Sequence, residues 1–186
     1  MSAPQTLVCF AGVSGAGKDT AGTYLVERHG YKRVAVADAL KETMMTLFGL
    51  SWEQLWGEAR NRPDPRLGRA PRELYQEFGS ACRGIDPEVW IRPFRTRIET
   101  LLSHGERVVC TDLRTLEELR VVKALGGTVW LLTRTGAGAP GTMALDRTET
   151  ELSQAEDGLF DEVIPNDGSP IDLHGRIEAA LAARCA

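Results

Sequence analysis

Cysteines are few in this sequence, and they are scattered. Cys9, Cys82, Cys110 and Cys185 form no CxxC pair and have no paired histidines nearby. Zinc sites and disulfide frameworks are typically marked by such spacing, so we expect neither. Cys9 and Cys110 lie in apolar, strand-like runs and are expected to be buried thiols.

Long hydrophobic runs and an excess of positive charge are also missing. No apolar stretch approaches the length of a membrane-spanning helix, and the N-terminus lacks a signal-peptide pattern, so we expect a cytoplasmic protein without a membrane partner. The formal net charge of -4 provides no overall basic field, which makes a nucleic acid partner unlikely. With 186 residues, of which 42% are hydrophobic, the chain most simply forms a single domain, residues 1–186.

The stretch from Thr6 to Thr20 carries the clearest chemical signal. An apolar run at 7–11 predicts a buried strand, a glycine-rich turn follows, and an amphipathic segment begins after Lys18. Strand, G-x-x-x-x-G-K turn and helix are the P-loop arrangement, in which backbone N–H groups and a helix N-terminus hold phosphates. The predicted nucleotide-binding residues are Gly12, Ser14, Gly15, Ala16, Gly17, Lys18, Asp19 and Thr20.

Asp19 departs from the usual pattern, in which a Ser or Thr follows the lysine and its hydroxyl binds Mg²⁺. A carboxylate can reach the metal directly or through water, or it can simply complement the positive end of the helix. Thr20 is well placed for a phosphate oxygen. Both roles of Asp19 remain open from the sequence.

Strand-like and helix-like segments alternate along the rest of the chain. Apolar runs predict strands at 31–37, 107–111, 128–132 and 162–164, and helices are predicted between and after them. Asp38 is expected to cap the helix after the second strand, and residues 79–84 to break the helix that begins at Pro71. This alternation predicts an α/β fold with a mostly parallel sheet, helices on both faces and a helical insertion at about 50–102.

Ligands of such sheets bind beyond the carboxyl ends of the strands. Asp112 ends a predicted buried strand and can hold Mg²⁺, or it can cap the following helix. Arg114 can clamp a phosphate, or it can be an ordinary surface arginine. Arg134, with Arg147, flanks a glycine-rich segment at about 134–150 that we interpret as a lid.

The insertion would hold a phosphoryl acceptor if the protein is a kinase. Arg72, Gln76, Arg83 and Trp90 are its candidate contacts, although each arginine alone is more often a surface residue and each tryptophan more often part of a core.

The chain resembles the bacteriophage-type deoxynucleoside monophosphate kinases, a group within the P-loop nucleoside monophosphate kinases. The matching segments appear in the family's order and cover nearly the whole chain: GAGKDT at 15–20, ADALKETMMTLFGL at 37–50, PRELYQEFGS at 71–80, DPEVWI at 86–91, VVCTDLR at 108–114 and IPNDGSPIDL at 164–173. GKDT alone is only moderately specific, and its combination with D-x-R and NDGS is much stronger.

The resemblance implies transfer of the γ-phosphoryl group of ATP to a deoxynucleoside 5′-monophosphate with Mg²⁺, in the host cytoplasm if the gene belongs to a phage. Independently of the resemblance, phosphoryl transfer depends mainly on positioning and charge neutralisation, so the predicted catalytic residues are Lys18, Arg114 and Arg134 and the predicted metal ligands are Asp19 and Asp112. The chain departs from the family at 146–149, where members often carry a His and a Ser-Glu pair. The predicted acceptor-binding residues are Asp38, Lys41, Arg72, Gln76, Trp90, Asp112 and Arg114.

Two other functions compete with this interpretation. One is a P-loop kinase for another small phosphorylated metabolite or for a modified base in DNA. The other is a non-catalytic nucleotide-binding switch, which would leave the long insertion unexplained. The sequence leaves open the accepted base, the preferred donor and a homodimer formed through the insertion.

Overall fold

The computed structural model describes residues 5–138 and 158–183. These residues form two compact units. Unit 1 contains the described residues up to Ala35 and from Arg95 onward, and unit 2 is the continuous stretch Val36–Phe94. Unit 2 overlaps most of the predicted insertion at 50–102, but it begins and ends earlier in the chain.

The strands of unit 1 form one sheet. They are β1 (Leu7–Ala11), β2 (Lys32–Val34), β3 (Val108–Cys110), β4 (Thr128–Thr133) and β5 (Glu162–Pro165). The strand order is β2-β3-β1-β4-β5, and every neighbouring pair is parallel. The predicted α/β fold with a parallel sheet is therefore confirmed.

The helices described in the two units are α1 (Lys18–His29), α2 (Ala37–Phe48), α3 (Trp52–Leu55), α4 (Pro71–Ile85), α5 (Ile91–Ser103), α6 (Leu116–Ala124) and α7 (Pro170–Ala183). A short 3₁₀ turn lies at Glu58–Asn61. Within the residues described, none of the helices has the length and apolarity needed to cross a bilayer.

The strand order determines on which faces of the sheet α1 and α6 lie. The chain passes from β1 through α1 to β2 in one direction along the sheet, and from β3 through α6 to β4 in the other. Both parallel connections are expected to be right-handed, so the two helices cover opposite faces. Helix α7 packs beside α1. The core contains Phe10 and Trp130, whose rings meet edge to face with centroids 5.7 Å apart.

Unit 2 is built from α2, α3, the 3₁₀ turn and α4. Gly49, with φ 60°, ends α2, and Ser51 begins α3 with a capping box to Gln54. Phe48 of α2 and Phe78 of α4 meet edge to face, with ring centroids 6.3 Å apart.

The predicted helix break at 79–84 is wrong, because α4 continues through both of its glycines to Ile85. Gly79 is a packing position: a Cβ there would lie 2.7 Å from Leu40 Cδ2 of α2. Close contact between the helices therefore accounts for this glycine, where the sequence suggested a turn.

The predicted cap of α2 is also wrong. The N-cap residue is Val36, no side chain caps the helix, and Asp38 lies inside the first turn. Asp38 is only 6% exposed, and its Oδ1 accepts a hydrogen bond of 3.0 Å from the indole N–H of Trp56. Its carboxylate therefore connects α2 to the residue that follows α3.

Candidate functional site

The turn between β1 and α1 depends on its three glycines. Gly12, Gly15 and Gly17 have φ values of 138°, 80° and 105°, in the region that side chains disfavour. A Cβ on Gly12 would lie 2.4 Å from the carbonyl oxygen of Leu132. Only glycine allows the loop to follow this path against β4.

The N-terminus of α1 faces the same loop. Gly17 is the N-cap residue and provides no side chain to cap the helix. The first-turn N–H groups have no partner within an α-helix, and together with the helix dipole they suit an anion. Lys18 Nζ donates to the carbonyl oxygens of Gly12 and Val13 at 2.6 and 2.9 Å. An ammonium group and a row of amide dipoles thus share one short loop.

Asn166 fixes this loop from the other side. It follows β5, is 6% exposed, and its Nδ2 donates to the carbonyl oxygen of Ala16 at 2.8 Å. A Cβ on Gly17 would lie 2.2 Å from the same Nδ2 atom. The asparagine of the NDGS motif is therefore part of the phosphate-loop structure, a role that the sequence analysis did not assign to it.

Asp167, the next residue of the motif, orders the segment after β4. Its Oδ1 accepts a hydrogen bond of 2.7 Å from the backbone N–H of Thr135. That bond, with the Thr135 side chain and the charges of Arg134 and Arg176, lowers the pKa of Asp167. The N–H of Gly138 donates to the carbonyl oxygen of Ser14 at 3.0 Å, so the segment also contacts the loop.

Asp112 lies just beyond β3, at the edge of the sheet where β1 leads into the loop. It is half-buried, and its Oδ1 accepts a hydrogen bond of 3.3 Å from the Cys110 thiol. The alternative that it caps α6 is wrong, because Thr115 is the N-cap and accepts from the N–H of Glu118 at 3.2 Å. The cap is provided three residues later, so Asp112 is not needed for it.

Glu118 completes that capping box from a buried position, 8% exposed. Its Oε2 accepts from the backbone N–H groups of Arg114 and Thr115 at 2.6 and 3.1 Å. Burial, together with the negative charge of Asp112, nevertheless raises the pKa of Glu118 to about 7. Burial likewise raises the pKa of the Cys110 thiol.

The predicted metal ligands Asp19 and Asp112 are both in unit 1. Across residues 5–138 and 158–183, no group of three or more His, Cys, Asp or Glu side chains is placed to hold a metal ion. Magnesium commonly takes one or two carboxylates and completes its shell with water and substrate phosphates. The oxygen ligands of Asp19 and Asp112 fit that requirement.

The two predicted catalytic arginines are exposed on loops at the carboxyl edge of the sheet. Arg114 lies in the β3–α6 loop, and Arg134 directly follows β4. The remaining lid residues, including Arg147 and the 146–149 segment, lie outside the described residues.

A groove of about 500 Å³ begins at Asp19 and Thr20 and continues along α1 to α7. Tyr24 stacks on His174 there, with ring centroids 4.0 Å apart. The Tyr24 hydroxyl donates to Glu178 Oε1 at 2.6 Å. No pattern in the sequence indicates this arrangement, because the residues that form it are about 150 positions apart.

Unit 2 contains the other predicted acceptor-binding residues. Lys41 and Asp38 lie on α2, and Arg72 and Gln76 lie one turn apart on α4. Gln76 is exposed, and the Nε of Arg72 is buried without a hydrogen-bond partner among the described residues. Trp90 is only 7% exposed, and its indole N–H donates to the carbonyl oxygen of Gly79 at 3.1 Å, which is a packing role within unit 2.

The sequence analysis missed two aromatic residues beside Lys41. Its Nζ lies 5.4 Å from the ring centroid of Trp56 and 5.6 Å from that of Tyr75. Tyr75 is one helical turn from Arg72 and was therefore close to a predicted residue, whereas nothing in the sequence separates Trp56 from a core tryptophan.

No protein-family model matches the chain. The chain is 29% identical over 187 residues to a candidate deoxynucleotide monophosphate kinase of Acanthamoeba polyphaga mimivirus, covering 93% of this chain and 94% of the relative. It is 28% identical over 153 residues to an uncharacterised protein of Ictalurid herpesvirus 1, covering 82% of this chain and 61% of that protein. The first match confirms the resemblance that the motifs predict.

Solved structures of P-loop kinases share the fold. A sugar kinase from Janibacter matches with a TM-score of 0.52 at 18% identity, covering 96% of this chain and 94% of its own. Shikimate kinase from Aquifex aeolicus matches with a TM-score of 0.52 at 17% identity, over 96% and 98% of the two chains. Dephospho-CoA kinase from Campylobacter jejuni matches with a TM-score of 0.52 at 11% identity, over 98% of each. The fold is that of the P-loop NTPases.

Proposed function

We propose that this protein is a kinase that transfers the γ-phosphoryl group of ATP to a deoxynucleoside 5′-monophosphate. The observation that carries the proposal is the loop from Gly12 to Lys18, with its left-handed glycines and its ammonium group ahead of an uncapped helix N-terminus. The match to the mimivirus protein, which covers 93% of this chain, supports the acceptor class.

The donor phosphates would be held by unit 1. The loop amides and Lys18 would bind the β- and γ-phosphates, with Lys18 exchanging its contacts to Gly12 and Val13 for phosphate oxygens. The groove that begins at Thr20 would receive the donor's nucleoside. Asp112 and Asp19 would hold Mg²⁺, which supplies positive charge to the phosphate oxygens when bound.

The acceptor would be held by the polar residues of unit 2, namely Asp38, Lys41, Arg72 and Gln76. An oxygen of its phosphate attacks the γ-phosphorus of ATP, the bond from that phosphorus to the β–γ bridging oxygen breaks, and ADP leaves. The attacking phosphate is largely ionised at neutral pH, so the protein need not provide a general base. Arg114 and Arg134 would neutralise the charge that spreads over the transferring group.

The direct test is ADP release from ATP and Mg²⁺ by the full chain, measured separately with dAMP, dGMP, dCMP, dTMP and no acceptor. We expect a strong acceptor-dependent rate with one or two of the four. ATP binding with no acceptor-dependent ADP release across this panel would contradict the proposal and favour a different acceptor or a switch.

Lys18→Ala should lower the acceptor-dependent rate by about 100- to 1000-fold, the cost of removing one charge-stabilising donor. Lys32→Ala, which removes an exposed lysine on β2, is the matched control and should retain the wild-type rate. Retained turnover in Lys18→Ala with an unchanged circular dichroism spectrum would refute the assigned role of the loop.

A further inference from the structure

Unit 2 presents two tryptophans whose arrangement is unusual for a surface. The indole rings of Trp52 and Trp56 are parallel within 15°, with centroids 6.3 Å apart, and Trp52 is 62% exposed. Large aromatic side chains are usually withdrawn from water, and those left exposed beside polar groups mark binding surfaces. The two are four positions apart, at the first residue and at the C-cap of α3, so they lie on one side of this helix.

The indole ring of Trp56 is held by one hydrogen bond, in which its N–H donates to Asp38 Oδ1 at 3.0 Å. The backbone carbonyl oxygen of Trp56 also accepts from Arg60 at 3.1 Å, which holds the main chain at this position. Asp38 is almost fully buried, so the carboxylate is a rigid acceptor. A ring held in this way loses little conformational entropy when a second ring stacks on it.

Positive charge lies close to the Trp56 ring and to a third aromatic ring, that of Tyr75. Lys41 Nζ is within 6 Å of the Trp56 and Tyr75 ring centroids, at 5.4 and 5.6 Å. One turn before Tyr75 on α4, the buried Nε of Arg72 has no hydrogen-bond acceptor among the described residues. A buried, unsatisfied guanidinium donor is costly, and an anionic oxygen would satisfy it.

A planar aromatic surface with Lys41 beside it, and with Arg72 one turn before Tyr75 on α4, matches the two chemical parts of a nucleoside monophosphate. We infer that the nucleobase of the phosphoryl acceptor stacks on the indole pair of Trp52 and Trp56, with Lys41 and Arg72 directed to its phosphate. This inference rests on the proposed function and names the residues that contact the base. Stacking on an indole favours any planar base. The pair would therefore raise the affinity for all four deoxynucleoside monophosphates and would contribute little to selectivity between bases.

The test compares binding of each of the four deoxynucleoside monophosphates with binding of deoxyribose 5-phosphate, which has no base, by calorimetry on the full chain. Trp56→Leu and Trp52→Leu should weaken deoxynucleoside monophosphate binding roughly 5- to 100-fold, the usual range for one stacking contact. Binding of deoxyribose 5-phosphate and of ATP should stay within about 2-fold. Trp56→Phe, which keeps a ring, should recover most of the lost affinity.

Leu47→Ala is the matched control, since Leu47 is 61% exposed and its loss should change none of these affinities. Wild-type affinity for the monophosphates in both leucine variants would overturn the inference while leaving the proposed function in place. Equal weakening of deoxyribose 5-phosphate would also overturn it, because the role would then be structural. A tryptophan emission shift that follows protein concentration and ignores the monophosphate would identify a self-association face instead. Absence of both binding and turnover in the wild-type protein would refute the proposed function itself.

Discussion

Asn166 connects the end of β5 to the phosphate loop through a single buried hydrogen bond, from its Nδ2 to the Ala16 carbonyl oxygen. Asn166→Asp replaces this donor with a charged acceptor that faces a carbonyl oxygen and lies near the proposed phosphate site. We expect a loss of about 1–3 kcal/mol in the free energy of unfolding. The Kd for ATP should rise about 10-fold or more, or about 1.4 kcal/mol, because the new carboxylate would repel the phosphates of ATP.

Calorimetric ATP titration and urea unfolding would measure both effects. Asn61→Asp makes the same chemical change at an exposed position and should alter neither quantity. Unchanged ATP affinity in Asn166→Asp would show that the loop holds its conformation without this bond.

Glu118 makes the stability of the protein depend on pH. Its pKa is raised from 4.5 to about 7 in the folded state, so between these values the folded protein binds more protons than the unfolded chain. The contribution of the group to stability is therefore fully present below its unfolded pKa and is lost as the pH rises through 7. Between about pH 5 and about pH 8, loss of this contribution should lower the free energy of unfolding by roughly 2 kcal/mol.

Glu118→Gln should remove this dependence, because an amide oxygen can still accept the backbone hydrogen bonds without titrating. The check is urea unfolding of wild type and variant at both pH values, comparing their difference in unfolding free energy. Glu117→Gln changes an exposed glutamate on the same helix and should follow the wild type. A pH-independent difference between wild type and Glu118→Gln would contradict the raised pKa.

At the scale of single residues, the prediction from sequence succeeded best where the residues that act together are neighbours in the chain. The glycines and Lys18 are recognisable because the loop is formed by consecutive residues. The contact of Asn166 with Ala16 spans 150 positions, and no pattern within either segment indicates it. Asp38 was wrongly predicted to be a cap because it directly precedes a helix-like segment. Its actual hydrogen-bond partner, the indole N–H of Trp56, is 18 positions away in the chain.

Gly22 of helix α1 packs against Thr111, the residue that follows strand β3. A Cβ there would lie 2.1 Å from Thr111 Cγ2, and Thr111 is 3% exposed on a stiff β-branched side chain. Gly22→Ala should therefore destabilise the protein by about 1–3 kcal/mol, despite the better helix propensity of alanine. Thr111→Ser removes the obstructing methyl group, so the double variant should recover much of the loss.

Gly175 provides the matched comparison within another helix. It lies inside α7, and a Cβ there would meet nothing within 4 Å. Gly175→Ala should stabilise the protein by about 0.4–1 kcal/mol. Urea unfolding of the three variants would show whether Gly22→Ala lowers and Gly175→Ala raises the free energy of unfolding. A stabilised Gly22→Ala would show that the contact between Gly22 and Thr111 is loose.

At the scale of elements, hydrophobic runs predicted where each strand lies, although β2 is shorter than expected, at Lys32–Val34. The helix end at Gly49 and the helix start at Ser51 carry residue types that are typical of caps, so the sequence alone indicates them. Gly79 was misread because a glycine that permits close helix packing looks, in sequence, like one that ends a helix. Only the position of Leu40 on α2 distinguishes these two roles.

At the scale of the whole molecule, ATP should stabilise the native state, because a ligand that binds only the folded protein shifts unfolding by mass action. At 100 times its Kd the gain is about 2.7 kcal/mol. For a chain of this length this raises the thermal midpoint by roughly 5–10 °C. Differential scanning calorimetry would measure it, and Lys18→Ala should lose most of the shift at the same ATP concentration. An equal shift in both proteins would mean that ATP binds away from the loop.

The α/β class followed from the alternation of strands and helices, and right-handed crossovers limited the arrangements available. The order β2-β3-β1-β4-β5 did not follow, because pairing between buried parallel strands of similar composition leaves little signal in the sequence. The two compact units were likewise not separable by composition, since no Gly- or Ser-rich linker marks either boundary.

The central place of β1 has a consequence during synthesis on the ribosome. Leu7 pairs with Val108 and Val8 with Thr128, so both partners of the first strand are translated about 100 residues after it. At a translation rate of roughly 5–20 residues per second, β1 remains without a pairing strand for at least about 5 s. Unit 2 is one uninterrupted stretch and is completely translated before either partner strand. The phosphate loop is thus translated well before the strands that flank β1, and the nascent chain exposes this apolar strand throughout that interval.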